Sequence, residues 1–249
     1  MTDIALAVIG GTGLYRLTTF DGVERRQVET PYGATSDTIV DGTLAGKRVL
    51  FLARHGEGHA LAPHEINYRA NLWALNALGA TRVLAINSVG GIGERMGPRV
   101  LALPDQLIDY TWGRAHTYFG NGQAVDHVDM SWPYDRMLRA EVMAAARAAG
   151  MAMVDGGTYG ATQGPRLETA AEIRRLARDG CDLVGMTGMP EAGLARELGL
   201  AYACIAIVAN WAAGCGDDDV EITLADVLEN MAQATSQLPA LLSTLVDRY

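Results

Sequence analysis

The feature that most constrains this chain is a series of short apolar runs: Ile4 to Ile9, Val49 to Ala53, Val83 to Ile86, Leu183 to Met186 and Ala203 to Val208. None alternates apolar with polar residues, so each suits a strand buried on both faces of a sheet. Helical patterns lie between them, over Ile66 to Leu78, Tyr134 to Ala149 and Thr169 to Arg178, the last opened by the acidic Glu168 and Glu172. Another runs from Pro190 to Leu198, with proline in its first turn and Gly199 just past its end. Thr223 to Asp247 reads as one or two amphipathic helices. Strands alternating with helices predict an α/β fold, a central, mainly parallel or mixed twisted sheet with helices on both faces. Ligands of such sheets collect at the carboxyl ends of the strands.

Composition narrows the class of partner. The 20 basic and 29 acidic residues leave a net charge of −9, which argues against nucleic acid, since phosphate backbones call for a basic stripe. An anionic substrate must therefore be caught by a local cluster of donors. Hydrophobic residues make up 49% of the chain, ample for a core. No linker, low-complexity tract or fixed-period repeat interrupts the sequence, so residues 1–249 read as one domain. Cys181, Cys204 and Cys215 form no CxxC and suggest neither a disulfide framework nor a zinc site. The N-terminus lacks the basic region of a signal peptide, and no apolar stretch reaches the roughly 18 residues that span a bilayer. A soluble, cytoplasmic protein with no membrane partner is expected.

The strand ends carry polar residues. After the first strand comes Gly10-Gly11-Thr12-Gly13-Leu14, where glycines let N–H groups converge on an anion and Thr12 adds a hydroxyl; a tight turn explains the run as well. The second ends in Arg54-His55-Gly56-Glu57-Gly58-His59. Arg54 offers a planar fork suited to phosphate and His55 a further donor. With His64 nearby, metal is an alternative, although Gly56 and Gly58 disfavour the helix that a histidine pair would ride on. The third ends in Asn87-Ser88-Val89-Gly90-Gly91, again with room for an anion or for a buried turn. Thr187 adds a hydroxyl near a helix start. Glu168 suits either a helix opening or a ligand contact. Asn210 suits either a turn or the edge of a heterocycle, since its amide both donates and accepts. The Asp217-Asp218-Asp219 run reads as a solvated loop.

In this order, Gly10-Gly11-Thr12-Gly13-Leu14, Arg54-His55-Gly56, Asn67-Tyr68-Arg69-Ala70-Asn71, Gly164-Pro165-Arg166 and Met186-Thr187-Gly188-Met189-Pro190-Glu191 resemble the trimeric purine nucleoside phosphorylase family, in its methylthioadenosine phosphorylase branch. The resemblance covers nearly the whole chain. It implies phosphate against Thr12, Arg54, His55, Asn87, Ser88 and Thr187, ribose against Met186, and the purine against Leu167, Glu168 and Asn210, with Trp211 and Ala212 beside it. It implies inorganic phosphate as co-substrate, with no metal and no organic cofactor. It also implies a homotrimer in which His127 reaches across a subunit boundary toward the 5′ group of the nucleoside.

The departures from the family pattern sharpen the expectation. Adenine-specific members resemble this chain less at the base, carrying aspartate at Asn210, a second aspartate near Ala212 and serine at Glu168; members acting on 6-oxopurines carry the Glu and Asn found here. Glu168 can accept from the N1–H of hypoxanthine, and the Asn210 amide can pair with O6 and N7. The chain has no histidine after His127 to bond a 5′-hydroxyl. Leu224, Val227 and Leu228 fall in the matching region, as a wall for a methylthio group or as the core face of a helix. Leu167 replaces the stacking Phe of the family. The implied reaction is phosphorolysis of S-methyl-5′-thioinosine, with inversion at C1′ and with Asn210, Glu168 and His55 as the catalytic set. The alternatives are an inosine/guanosine phosphorylase, a methylthioadenosine phosphorylase of relaxed base specificity, and a non-catalytic nucleotide-binding module built on the Gly11 turn.

Overall fold

The computed structural model describes residues 4–11, 20–120, 122, 124–216 and 223–249. The apolar runs are strands, and four of the five outlast their hydrophobic stretch, β1 (Ile4–Gly10), β4 (Lys47–Ala53), β5 (Arg82–Gly91) and β11 (Ala201–Trp211), whereas β10 (Leu183–Gly185) stops one residue short of it. Six strands are added that the hydrophobic pattern does not show, β2 (Asp21–Arg26), β3 (Ile39–Leu44), β6 (Leu101–Leu103), β7 (Gln106–Asp109), β8 (Val154–Asp155) and β9 (Thr158–Ala161). β2 is an almost wholly exposed edge strand, so no burial demand selects apolar residues for it. β3 is buried but broken by Asp41, Gly42 and Thr43, and β6 to β9 have two to four residues each.

Among the described residues the strands form one sheet in the order β2-β3-β4-β1-β5-β10-β9-β7, with β11 on the other side of β5 and β6 and β8 beyond it. β4, β1, β5 and β11 run parallel, whereas β2–β3, β3–β4, β5–β10 and β6–β11 are antiparallel. The sheet is mixed. Successive residues of a strand serve opposite layers. Leu6, Val8, Leu84 and Ile86 pack with helices α2 (Arg136–Ala148) and α6 (Leu238–Val246), while Ala7, Ile9, Val83 and Ala85 pack with α1 (Tyr68–Ala77) and α4 (Gly188–Glu197). Both faces are therefore dry, and the runs show no alternation.

Side-chain caps set where several helices begin. Asn67 accepts from Ala70 N–H at α1 and Asp135 from Leu138 N–H at α2. Thr169 and Glu172 form a reciprocal capping box at α3 (Ala170–Arg178). This corrects one expectation: Glu172 opens that helix, and Glu168 lies before the cap, free for another task. In α4, Met189 is extended (φ −123°, ψ 143°), so regular helix begins at Pro190, as the proline predicts. The C-terminal pattern divides into α5 (Leu224–Thr235) and α6.

Candidate active site

β5 is flanked unequally, and this opens the site. On one edge β11 accompanies it from Arg82 to Gly91. On the other, β1 pairs with Val83 to Ala85 and β10 only with Gly90 and Gly91. Between these partners, residues 86 to 89 face a gap. The carboxyl end of β1, the turn after β4 and the start of α4 converge on it. Asn87 and Ser88, expected at a strand end, lie instead within β5. Asn87 is buried, and Ser88 is the one exposed residue of the strand.

Arg54 follows β4, its N–H donating to the Gly10 carbonyl (2.9 Å). Its side chain is 1% exposed, and its fork is turned on Glu191 of α4, Nε donating to Oε2 at 2.7 Å and Nη2 to Oε1 at 2.8 Å. Nη1 donates to the Ile86 carbonyl at 3.1 Å and Nη2 to that of Ile9 at 3.5 Å. The expectation that the whole fork faces phosphate is thereby corrected: among the described residues four of its five N–H groups are committed and one on Nη1 is left. Burial opposes the charge, but the Glu191 carboxylate outweighs it and holds the Arg54 pKa above its ordinary value. Tyr202 donates its hydroxyl to Glu191 Oε1 (2.8 Å), completing the network.

His55 places Nδ1 2.8 Å from the Leu61 carbonyl. A carbonyl only accepts, so Nδ1 carries the hydrogen. Burial, opposed by that bond and aided by Arg54 and His59, lowers the imidazole pKa to about 4. The ring is neutral at neutral pH, and its Nε2 is an acceptor rather than the donor the sequence suggests. Its partner on an anion is then a protonated phosphate oxygen. Between pH 6.5 and 4 the unfolded chain takes up this proton and the folded one does not, so stability falls with pH across that window by about 3 kcal/mol. His55→Asn keeps an N–H for Leu61 without titrating and is expected to flatten that part of the curve. Identical acid limbs in both proteins would overturn the assignment, as read by unfolding midpoints from pH 7 to 4.

Asn87 donates Nδ2 to the buried Tyr159 hydroxyl across a long 3.5 Å, and among the described residues its buried Oδ1 has no partner. Burial pushes the Tyr159 hydroxyl up to about 12, so it stays protonated. Thr187 is buried at the start of α4, its hydroxyl capping nothing. Tertiary contacts thus gather Arg54, Asn87 and Thr187 at the gap beside β5. Thr12 lies outside the described residues.

The second half of the site stands on β9 and β11. Thr162, just past β9, donates its hydroxyl to Glu168 Oε1 at 2.6 Å, fixing the carboxylate; among the described residues Oε2 takes no hydrogen bond. A register shift between Val208 and Asn210 inserts one residue into β11 opposite Val89 and Gly90, which re-aims Asn210. The Ala209 carbonyl accepts from Asn230 of α5 at 2.8 Å, tying the bulge to that helix. Asn210 is half-buried within the strand rather than in a turn, its Nδ2 donating to the Trp211 carbonyl at 2.6 Å. Gly214, past the same strand, packs against Ala170 at the head of α3, bringing the ends of the Glu168 loop and β11 together. The Glu168 and Asn210 side chains bond other groups rather than each other.

Of the remaining candidates, Met186 and Trp211 are half-buried and Ala212 is buried. Leu167 is 53% exposed and Leu228 50%, while Val227 is half-buried. Val227 lies one turn before Asn230, which bonds the Ala209 carbonyl of β11, and Leu228 follows at a more exposed position of α5. The Leu224 side chain and the Asp217–Asp219 run lie outside the described residues. His127 is exposed, on the connection from β7 to α2. Glu191, Tyr159, Tyr202, Thr162 and Asn230 were not visible as site residues in sequence. One signal existed for Glu191: it sits in helical phase with the buried Leu194 and Ala195, where a carboxylate needs a partner.

A cavity of about 450 Å³ reaches Thr162, Gln163, Gly164 and Glu168, with Tyr110, Trp112 and Arg166 on its wall. A larger one, about 910 Å³, is lined by Ile4, Lys47 and Arg82, the first residues of β1, β4 and β5, and so lies at the opposite, amino end of the sheet. Among the described residues no three His, Cys, Asp or Glu side chains gather as a metal set, and no helix is long and apolar enough to cross a membrane.

The chain is 65% identical to a probable S-methyl-5′-thioinosine phosphorylase of Xanthomonas campestris pv. campestris, over 98% of this chain and 97% of that protein. It is 42% identical to the 6-oxopurine nucleoside phosphorylase of Pyrococcus furiosus, over 95% and 90%. The fold matches a variant of the adenosine/methylthioadenosine phosphorylase of Schistosoma mansoni in complex with methylthioadenosine, with a TM-score of 0.91, 34% identity and coverage of 99% and 91%. Residues 5–247 match the Phosphorylase superfamily, and the chain belongs to that family.

Proposed function

We propose that this protein cleaves S-methyl-5′-thioinosine with inorganic phosphate, yielding hypoxanthine and 5-methylthioribose 1-phosphate. The observation that carries the reading is the Glu168 carboxylate. With Oε1 held by Thr162, Oε2 presents an acceptor to the base. Hypoxanthine offers N1–H there, whereas adenine offers a bare N1 that would oppose acceptor to acceptor; such mismatches are worth about 10⁴–10⁵ in discrimination. Relatives between 51% and 65% identical carry the name probable S-methyl-5′-thioinosine phosphorylase, which supports the same substrate.

Phosphate lies beneath C1′ in this reading, met by the remaining Arg54 N–H, the Thr187 hydroxyl, Asn87, Ser88 and Thr12, while His55 Nε2 accepts from its protonated oxygen. As the glycosidic bond lengthens, the sugar becomes oxocarbenium-like and the purine gathers negative charge. Asn210 turns its amide from the Trp211 carbonyl to N7 and O6, a contact that strengthens as that charge develops. Phosphate oxygen then attacks C1′ from the face opposite the leaving base and inverts it. No side-chain nucleophile, metal or organic cofactor takes part. Met186 contacts the ribose, Val227 and Leu224 the methylthio group, and the exposed His127 serves a neighbouring subunit of a cytoplasmic homotrimer.

The deciding assay measures base release from methylthioinosine, methylthioadenosine, inosine and guanosine, with and without phosphate. Methylthioinosine is expected to give the highest kcat/KM and no release without phosphate. Equal or greater efficiency with inosine would overturn the methylthio assignment, and release in phosphate-free buffer would overturn phosphorolysis.

A further inference from the structure

We propose that Arg114 is a positioning residue, a strap that sets the spacing between the base-side loop and the segment serving sugar and phosphate; the roles of those two segments rest on the reading above. Arg114 follows Gly113, whose φ of +69° is left-handed and favours glycine, and it turns inward until only 8% exposed. Its Nη1 donates to the carbonyls of Met186 and Met189, both at 2.7 Å, and approaches the Tyr68 hydroxyl oxygen at 3.1 Å. Its Nη2 donates to the Gln163 carbonyl at 2.8 Å and to that of Thr162 at 3.3 Å.

Those carbonyls belong to two different parts of the site. Thr162 and Gln163 leave β9 and lead to Glu168; Met186 and Met189 leave β10 and bracket Thr187. Thr162 is the joint between strap and base edge, since its carbonyl meets Arg114 and its hydroxyl holds Glu168. The two segments also touch directly. Gly164 has φ +61°, and a Cβ there would overlap the Met186 side chain. A packing contact thus sets their approach at one point, and the guanidinium sets it at another.

The chemistry of the strap favours a geometric purpose. Among the described residues its hydrogen-bond partners are all neutral oxygens and its buried Nε has none. A buried cation without a carboxylate is a poor device for stability alone. The planar fork reaches two pairs of carbonyls at once, which a lysine ammonium on a flexible stem does not reproduce.

Arg114→Lys tests the proposal by two readouts. The first is the ratio of kcat/KM for methylthioinosine to that for methylthioadenosine, which does not depend on how much of a preparation is folded. Loosening the spacing is expected to lower this ratio by about 10-fold or more. The second is amide hydrogen exchange, expected to quicken within residues 162–168 and 186–189 and not in β1, β4 or β11. An unchanged ratio, or exchange unaltered in both segments, overturns the strap. If the wild-type enzyme cleaves neither nucleoside, it is the proposed function that fails, and exchange alone decides the role of Arg114. Should Arg114→Lys not fold, Arg114→Gln is judged by the same measurements.

Discussion

Arg54→Ala is expected to destabilise the protein by about 3–5 kcal/mol, because it leaves the Glu191 carboxylate buried without its cation. Both partners are 1% exposed, so water cannot take over the lost charge. The Ile9 and Ile86 carbonyls lose a donor as well. The sequence motif alone suggests a milder outcome, a raised KM for phosphate in a stable enzyme. The structure reverses the order of effects: stability goes first. Urea unfolding of Arg54→Ala is the direct measurement, and an unaltered midpoint would refute the pairing as a source of stability.

The double variant Arg54→Met with Glu191→Leu is expected to recover much of that loss, since replacing a buried ion pair by apolar groups of similar volume is often neutral. It also isolates the one remaining N–H on Nη1. A phosphate KM raised by about 10-fold, the worth of roughly one charge-assisted hydrogen bond, would assign that hydrogen to the anion. An unaltered KM in the folded double variant would remove Arg54 from phosphate binding.

Base preference should move by at least about 10²-fold toward 6-aminopurines when Glu168→Ser and Asn210→Asp are combined. Serine withdraws the acceptor opposite N1, and aspartate supplies one for a 6-amino donor. Thr162 does not lose its only partner, because its hydroxyl also lies 3.3 Å from the Gly185 carbonyl. The fold is therefore expected to survive the change. Glu168→Gln is the sharper control. It keeps an oxygen for Thr162 while turning the second position into a donor, and it should cost about 10²–10³ in kcat/KM for methylthioinosine at an unchanged unfolding midpoint. Selectivity that stays the same in the double variant would separate Glu168 and Asn210 from base recognition.

Much of the scaffold was legible from residue order. Strands buried on both faces declare themselves as unbroken apolar runs and helices by their period, so β1, β4, β5, β10 and β11 and the helices between them stand close to where hydrophobicity puts them. The strands that escaped bury little, as β2 does, carry polar residues in mid-strand, as β3 does from Asp41 to Thr43, or are too short to show a pattern. Motif order was equally informative about family. It was less informative about what each side chain does. Arg54 was recognised as a cation at the right strand end, but its fork belongs to a carboxylate 137 residues away. His55 was recognised in the right place with the opposite hydrogen-bonding sense. Thr162 and Arg114 left no trace, because one acts through a carboxylate six residues on and the other through main-chain carbonyls, which every residue carries.

By itself, then, the sequence determined the layered α/β fold, the order of its main buried strands and helices and the residue types gathered at the strand ends, because apolar runs, helical periodicity and turn chemistry are local properties. Only the tertiary structure decided which edge of β5 lies open, which charge Arg54 neutralises, which nitrogen of His55 keeps its hydrogen and what holds Glu168 in place. Those outcomes depend on burial and on contacts between segments far apart in the chain, and no local spacing encodes them.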